Sequence, residues 1–457
     1  MICVTFLARR PKLASAVTEP ALTLGKLTAQ YGLLIRVNTS GWFCVMKVLV
    51  IDPLSSGPEL VAHLCLVGCD VTEYSQKIAA VAHENWMSVS LDKEVIELAE
   101  TGEFDAIVAG SDFGVVAAEV LSAREGLPVS HPDQIWARRD KAGMAEAVAN
   151  TEVKVPQTWT VDALGKVDEI WCSLKDLPNG VVVKPSASAG SDGCFICFSR
   201  EDVFNAVRSL LGERNLLGTI NSRITIQERI VGTQYFLNTV TVDGLHYVTE
   251  FFRYGIDESL DRPQIYNAIT LPMSGKLFES AKNFTCIVND ALGVAFGASH
   301  VEMRLQDEEW VLIEFNGRSM GPTVPDDVYL VSRGYSQVSV WAAAIAGGAE
   351  AAALALERAR GSGCVGWHMP QPTEEGLLLS ANWQEIEMLS TFQGIYGELS
   401  IGSLFSSQKR VTTGSYGLAF FASEERTRVE SDLDLARAVE LSGQIYRISA
   451  SPKGRKR

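Results

Sequence analysis

The reading of this chain turns on Ser299-His300-Val301-Glu302-Met303-Arg304-Leu305 and Trp310-Val311-Leu312-Ile313-Glu314-Phe315-Asn316-Gly317-Arg318, joined by Gln306-Asp307-Glu308-Glu309. Both arms alternate polar and apolar residues, the signature of half-buried strands. Val301, Met303, Leu305, Val311, Ile313 and Phe315 are expected to share the core face. His300, Glu302, Arg304, Glu314, Asn316 and Arg318 point the other way. A tight turn near Asp307 to Glu309 sets Glu302 opposite Glu314. Like charges in that position destabilise a sheet. A divalent cation removes the penalty, and two carboxylates with an amide oxygen are hard ligands of the kind Mg²⁺ takes together with phosphate oxygens. A solvated sheet face would carry the same pattern, so the rest of the chain has to decide.

At 457 residues the chain has room for two to four domains. Its net charge of −15 argues against a nucleic-acid backbone or an anionic membrane as the main partner. An anionic nucleotide stays open, because local fields decide that. The basic tail Lys453-Gly454-Arg455-Lys456-Arg457 reads as a solvated end. Nine cysteines and six histidines are scattered without zinc-site spacing. We expect reduced thiols in a cytoplasmic protein. The apolar stretch Val338 to Leu356 is broken by Ser339, Gly347, Gly348 and Glu350, and reads as a buried helix rather than a membrane span. Residues 1–45 lack the layout of a signal peptide, since Arg9 and Arg10 follow the apolar stretch. They are expected to be a leader or extension, with Met46 opening the first strand.

From residue 46 short β-branched runs alternate with helical patterns: Val48–Ile51, Glu59–Gly68, Val71–Tyr74, Phe104–Gly110, Gly114–Arg124. This order predicts a parallel sheet covered on both faces. Ligands of such sheets lie beyond the carboxyl ends of the strands, which points to Ser55, Ser56, Gly57, Ser111 and Asp112. No dinucleotide fingerprint is present, which disfavours an oxidoreductase. A second segment opens at Arg138-Arg139-Asp140-Lys141. Its strand Gly180 to Pro185 carries Lys184 and runs into Ser186-Ala187-Ser188-Ala189-Gly190-Ser191-Asp192-Gly193. The N–H groups of such a loop can approach phosphate oxygens, although an ordinary hairpin turn looks the same. A strand ending at Gln227-Glu228 turns at Gly232 and continues to Val242. A purine can sit between such segments.

In this order the motifs resemble the ATP-grasp superfamily of carboxylate–amine ligases, and within it the L-amino-acid ligases that join two amino acids into a dipeptide. The resemblance runs over about residues 46–345. It rests on Ser299–Glu302 with Glu314–Arg318, on Arg139–Lys141, on Val183–Pro185 with its loop, and on Gln227–Glu228 with Gly232. It implies an α/β ATP-grasp fold. The expected parts are an N-terminal parallel α/β domain (46–137), a small central lid subdomain (138–232), a larger catalytic α+β subdomain (233–358) and a C-terminal α+β part (359–457).

The resemblance also implies roles. Lys141 and Lys184 would contact ATP phosphates, under a lid carrying Ser186, Ser188, Gly190, Ser191 and Gly193. Glu228 with the backbone of Arg229, Ile230 and Val231 would hold adenine. Glu302, Glu314 and Asn316 would bind Mg²⁺ as two ions, with Mn²⁺ able to substitute. Arg318 would face the transferred phosphoryl group, and His300 the amino-acid pocket. Gln234 stands where the family has an acidic residue for the ribose. His246, Arg253, Tyr254, Asp257, Arg262 and Tyr266 are candidates for lining a substrate pocket. Small amino acids are the implied partners, with no nucleic acid or membrane, and a homodimer fits the family. Some ligases of this kind make antibiotics or phytotoxins, tabtoxin-like products among them. A nucleotide-binding regulator without turnover is the rival from another class.

Overall fold

The computed structural model describes residues 45–450, apart from 191, 260–262, 322–324, 358–362, 373, 398–400, 403 and 406–416. The leader through Cys44, the basic tail, Ser191 and Arg262 thus lie outside the described residues.

Strands β1 (Lys47–Ile51), β2 (Asp70–Tyr74) and β3 (Ala106–Ala109) form a parallel sheet in the order β2-β1-β3. Helices α1 (Gly57–Leu66), α2 (Lys93–Thr101) and α3 (Val115–Arg124) complete the expected α/β unit. Leu49, Ile51, Val95, Ile107, Ala117 and Leu121 fill one of its cores.

Arg138 anchors the next segment. Its guanidinium is buried, grips Glu119 of α3 at 2.8 and 3.0 Å, and donates to the carbonyls of Leu292 and His131. Removing one partner of a buried pair strands the other. We therefore expect Arg138→Met to cost about 3–5 kcal/mol, read as a lowered midpoint in urea unfolding. An unchanged midpoint would refute the anchoring role.

Helix α4 (Lys141–Val148) starts on Asp140, whose carboxylate caps the N–H groups of Ala142 and Gly143 at 2.9 and 3.0 Å. A four-stranded antiparallel sheet follows, ordered β4-β7-β5-β6 from β4 (Thr158–Val161), β5 (Val181–Pro185), β6 (Phe195–Cys197) and β7 (Ile224–Glu228). Helices α5 (Lys166–Leu174) and α6 (Arg200–Leu210) cover one face through Val167, Leu174, Val203 and Val207. A capping box of Ser199 and Asp202 starts α6. Val181 and Val183 point into this core, so Val182 and Lys184 face the other side.

Gly232 makes the turn to the large sheet. Its φ is +114°, and a Cβ there would stand 2.2 Å from the Leu305 carbonyl oxygen. Eight strands then order as β12-β11-β8-β9-β10-β13-β17-β15. They are β8 (Thr233–Val242), β9 (Leu245–Asp257), β10 (Gln264–Thr270), β11 (Gly297–Gln306), β12 (Glu309–Asn316), β13 (Cys364–His368), β15 (Phe392–Tyr396) and β17 (Leu418–Ser423). Strands from both sides of residue 358 therefore share one sheet. A separate small sheet joins β14 (Gly376–Ala381), β16 (Leu404–Phe405) and β18 (Tyr446–Ala450). Helix α7 (Lys276–Ala291) packs on one face of the large sheet through Phe278, Ala281 and Val288. On the other lie α8 (Asp326–Arg333) and α9 (Gln337–Glu357).

Helix α9 is long and apolar enough to cross a membrane by length and composition. Here Val338, Trp341, Ala342 and Ile345 are buried in the core that also holds Phe236 and Phe252.

The β11–β12 hairpin pairs Glu302 with Glu314, as the alternation required. Its turn has Asp307 and Glu308 at φ +50° and +66°, both left-handed, as in the hairpin turns that match strand twist. One expectation fails. The register slips between Glu302 and Met303, so Ile313 is an extra residue and Leu312 pairs with Met303. This bulge turns Leu312 into the core with Val301, Met303 and Phe315, and sends Ile313 to the opposite face. Val311 is still fully buried, but outside that cluster.

Candidate active site

The free face of the small sheet and the polar face of the large one enclose a cleft of about 130 Å³. Lys141, Lys184, Ser188, Glu302, Arg304 and Glu314 line it, with Glu228, Arg229, Ile230 and Gln234 at the side of the Gly232 turn. Val182, Ile196, Ile256, Ile265 and Ile313 supply apolar walls. Such a mixture, apolar faces plus a few charged groups, is how small-molecule sites are built.

The charges are paired with one another. Lys141 Nζ lies 2.9 Å from Glu314 Oε1. Burial alone would raise the Glu314 carboxyl, but the ammonium groups of Lys141 and Lys184 outweigh it and hold it below the usual carboxylate range. Burial, and then the neighbouring Lys141, pull Lys184 below the ordinary lysine range. Glu302 accepts from Gln234 Nε2 at 2.7 Å and lies 3.1 Å from His300 Nε2. The Tyr254 hydroxyl donates to it at 3.5 Å. Burial, then Glu302, push the Tyr254 phenol well above its usual range, which keeps it a donor.

Arg318 donates to Asp112 at 2.6 Å, and Arg139 bonds the other oxygen of Asp112 at 3.2 Å. Burial would raise Asp112, but Arg318 and Arg139 hold it below the usual range. The N-terminal sheet edge thus reaches the phosphoryl-transfer candidate Arg318 through one carboxylate.

Glu302 and Glu314 face one another on the ladder, and Asn316 lies two residues beyond Glu314 on the same strand face. This all-oxygen set fits a hard cation such as Mg²⁺. Among the described residues no cluster of three His, Cys, Asp or Glu side chains is arranged to hold a metal by itself. Two carboxylates completed by phosphate oxygens is the usual Mg²⁺ arrangement in nucleotide sites.

A profile of the ATP-grasp domain matches residues 177–326, which take in β5, β6 and β7 of the four-stranded sheet and the carboxylate hairpin. Residues 177–326 thus carry an ATP-grasp domain. It is 28% identical over 244 residues to dapdiamide A synthase of Enterobacter agglomerans, covering 52% of this chain and 56% of that one. The chain thus spans about half the length of the curated relatives it matches. Among solved structures, an L-amino acid ligase from Bacillus licheniformis superposes with a TM-score of 0.67 at 14% identity, over 88% of this chain and 99% of that one. The biotin carboxylase domain of Hydrogenobacter thermophilus 2-oxoglutarate carboxylase, solved with MgADP, gives 0.60 at 16% identity, over 88% and 90%. At these identities the structures report the fold, and the fold is ATP-grasp.

Within the ATP-grasp cleft most of the expected residues come together, but some are committed elsewhere. Ser186 is buried, with its hydroxyl on Thr225 at 2.7 Å, so it does not face the nucleotide cleft. Ser188 does, bonded to Asp192 at 3.1 Å. Gly190 and Gly193 take left-handed φ of +63° and +66°. The Ile230 carbonyl accepts from Arg304 at 2.8 Å, and the Val231 N–H donates to Gln306 at 3.1 Å. The expected free backbone edge for a purine is therefore partly occupied. His300 is buried with its second ring nitrogen 2.8 Å from Asn238 Oδ1, so it orients Glu302 from behind rather than facing a substrate. Of the other substrate-pocket candidates, Tyr254 reaches the site. His246 bonds Thr241 and Asp290, Arg253 bonds Glu430, and Asp257 and Tyr266 hold Arg437.

Arg304 was not expected as a site residue, whereas Asp112 lies at the ligand edge that the strand order of the parallel sheet pointed to. Arg304 ties Gln234 (2.9 Å), Ile230 and Glu258 together. Its charge at a site-face position of the hairpin was the signal. Gln234→Glu would set a second carboxylate against Glu302 in place of an amide donor. Without divalent cation we expect it to lower stability by about 1–3 kcal/mol, with Mg²⁺ restoring the loss. Thermal melts with and without Mg²⁺ check this. A variant as stable as wild type in chelator would show that the two side chains do not share a site.

Proposed function

We propose that this protein is an ATP-dependent carboxylate–amine ligase that joins two L-amino acids and releases ADP and phosphate. The observation that carries the reading is that Lys141, Lys184, Glu302 and Glu314 line a single cleft, with Asn316 two residues beyond Glu314 on the same strand face and Arg318 farther along on Asp112. That set suits phosphoryl transfer to a carboxylate, which needs positioning and charge neutralisation more than covalent help. The dapdiamide synthase relative and the L-amino acid ligase fold neighbour favour amino acids as the substrates.

In this mechanism Lys141 and Lys184 neutralise the triphosphate, while Glu228 and the Arg229–Val231 segment hold the adenosine end. Glu302, Glu314 and Asn316 would hold Mg²⁺, in the family's manner as two ions, with Mn²⁺ as a substitute. A cation held there would supply charge neutralisation for the phosphate oxygens. An oxygen of the donor carboxylate attacks the γ-phosphorus in line. The bond from phosphorus to the ADP oxygen breaks, leaving an acyl phosphate beside Arg318. The neutral amine of the second amino acid then attacks the acyl carbon. A C–N bond forms, phosphate leaves with the C–O electron pair, and the amine proton departs with it. The 186–193 loop shields the acyl phosphate from water.

Phosphate release from ATP and Mg²⁺ across a matrix of paired L-amino acids tests the reading, with mass spectrometry on the hits. Release that needs both partners and yields a dipeptide mass is the expected result. Release with one acid and a non-amino-acid amine would assign a different couple. Nucleotide binding without release in any combination would favour a regulator.

A further inference from the structure

A second cavity, about 350 Å³, opens on the other side of the 186–193 loop. Ser186 and Ala187 line it, whereas Ser188 lines the nucleotide cleft. Besides the loop, its walls come from four places: the loop after β2, the β3–α3 turn with the first turn of α3, the segment leading into α4, and the segment before β7. One wall is apolar, made of Val81, Val116, Leu217 and Ile220. The floor is charged, with Arg139, Arg223, Asp112 and Asp140.

Both arginines keep donors in hand. Arg223 lies over the Trp136 ring at 5.6 Å and donates once, to Asp140 at 2.6 Å. Its side chain is 38% exposed. Arg139 donates once, to Asp112. A guanidinium carries five N–H groups, and its fork matches a carboxylate. The other oxygen of Asp112 holds Arg318. An anion seated on Arg139 and Arg223 is therefore separated from the phosphoryl-transfer residue by a single carboxylate.

We propose that this cavity takes the acceptor substrate, an L-α-amino acid with an apolar side chain. Its carboxylate sits on Arg223 and Arg139, its side chain lies against Val81 and Ile220, and its amine points past Asp112 toward Arg318. The inference rests on the ligase reading and extends it. A ligase that activates one carboxylate must keep the other from being phosphorylated. A guanidinium clamp on the far side of the loop does that, while leaving the amine as the only group near the acyl carbon.

The test uses the full chain with Val81→Trp, which fills the cavity from a residue 59% exposed, and Arg223→Gln, which removes the clamp. Acyl phosphate formed from ATP and donor alone is trapped with hydroxylamine, and the acceptor KM is measured in the complete reaction. We expect the acceptor KM to rise about 10- to 100-fold, the loss of a charge-assisted contact at one factor of ten per 1.4 kcal/mol. Hydroxamate yield should change far less. An unchanged acceptor KM, or a hydroxamate loss equal to the dipeptide loss, overturns the assignment. If the wild type makes no dipeptide from any pair, equilibrium dialysis of single L-amino acids with ADP and Mg²⁺ present decides the cavity separately. Binding of an apolar amino acid that Val81→Trp weakens supports the pocket even as the ligase reading falls. No binding to the wild type overturns both.

Discussion

Glu314→Ala should abolish turnover while leaving the fold intact. Glu314 stands on the polar face of β12, a quarter of its side chain exposed, and contributes nothing to the apolar core below. Its removal deletes one of two carboxylates that would hold the metal and leaves Lys141 facing Lys184 without an anion between them. Loss of one preorganised charge contact at such a site raises the barrier by about 3–4 kcal/mol, roughly 10² to 10³ in rate. The change strands the buried Lys141 ammonium, but the Glu302–Glu314 repulsion disappears with it and Lys141 keeps the Ser188 carbonyl as an acceptor, so the melting temperature should fall by less than the loss of a buried pair alone would cause. ADP release and a thermal melt measured side by side check both halves. Wild-type turnover in this variant would sink the metal assignment.

Arg318→Met carries the second large effect. Arg318 is the cation held at the junction between the N-terminal sheet edge and the hairpin, fixed by Asp112 and by the Ser319 carbonyl at 3.1 Å. If it stabilises charge on the transferred group, kcat falls by about 10² to 10³ while the KM for ATP moves little. Asp112→Asn separates position from charge. It keeps Arg318 but loosens its hold, and should lower kcat by about tenfold, a loss of 1.4 kcal/mol. A variant with methionine at 318 that turned over within a factor of about three would show that the guanidinium only ties two domains together.

Much of this was legible in the sequence because it followed from period and punctuation. The hairpin alternation placed Glu302 opposite Glu314, and the acidic turn fixed their register. The alternating strands and helices before residue 137 gave the parallel sheet. The bulge at Ile313 was not legible, because an extra residue in one strand shows only against its partner. Nor were the pairings of the charges. Nothing local in the chain says that Arg318 meets Asp112 across 206 positions or that Gln234 lies between Arg304 and Glu302. His300 illustrates the same limit. Its place on the polar face was readable, but its contact with Asn238 of β8, which turns it into a support for Glu302, depends on a neighbouring strand. The strands after residue 361 read as a small terminal unit because their turns are dense. Only the ladder β10-β13-β17 reveals that they widen the catalytic sheet.

If Lys141 takes a phosphate and Glu314 a metal ion, as proposed, their ion pair would close each site against a ligand arriving alone. Each is the other's ligand at the high effective concentration that tethering gives. A nucleotide arriving alone must displace Glu314 from Lys141, and a cation arriving alone must displace Lys141 from Glu314. Arriving together, each releases the partner the other needs. On these roles metal and nucleotide would be coupled, and by linkage each would tighten the other by the same factor. The same latch works in reverse after the chemistry. With the metal gone, Glu314 would again pair with Lys141 and weaken the hold on ADP, so chelation should speed product release.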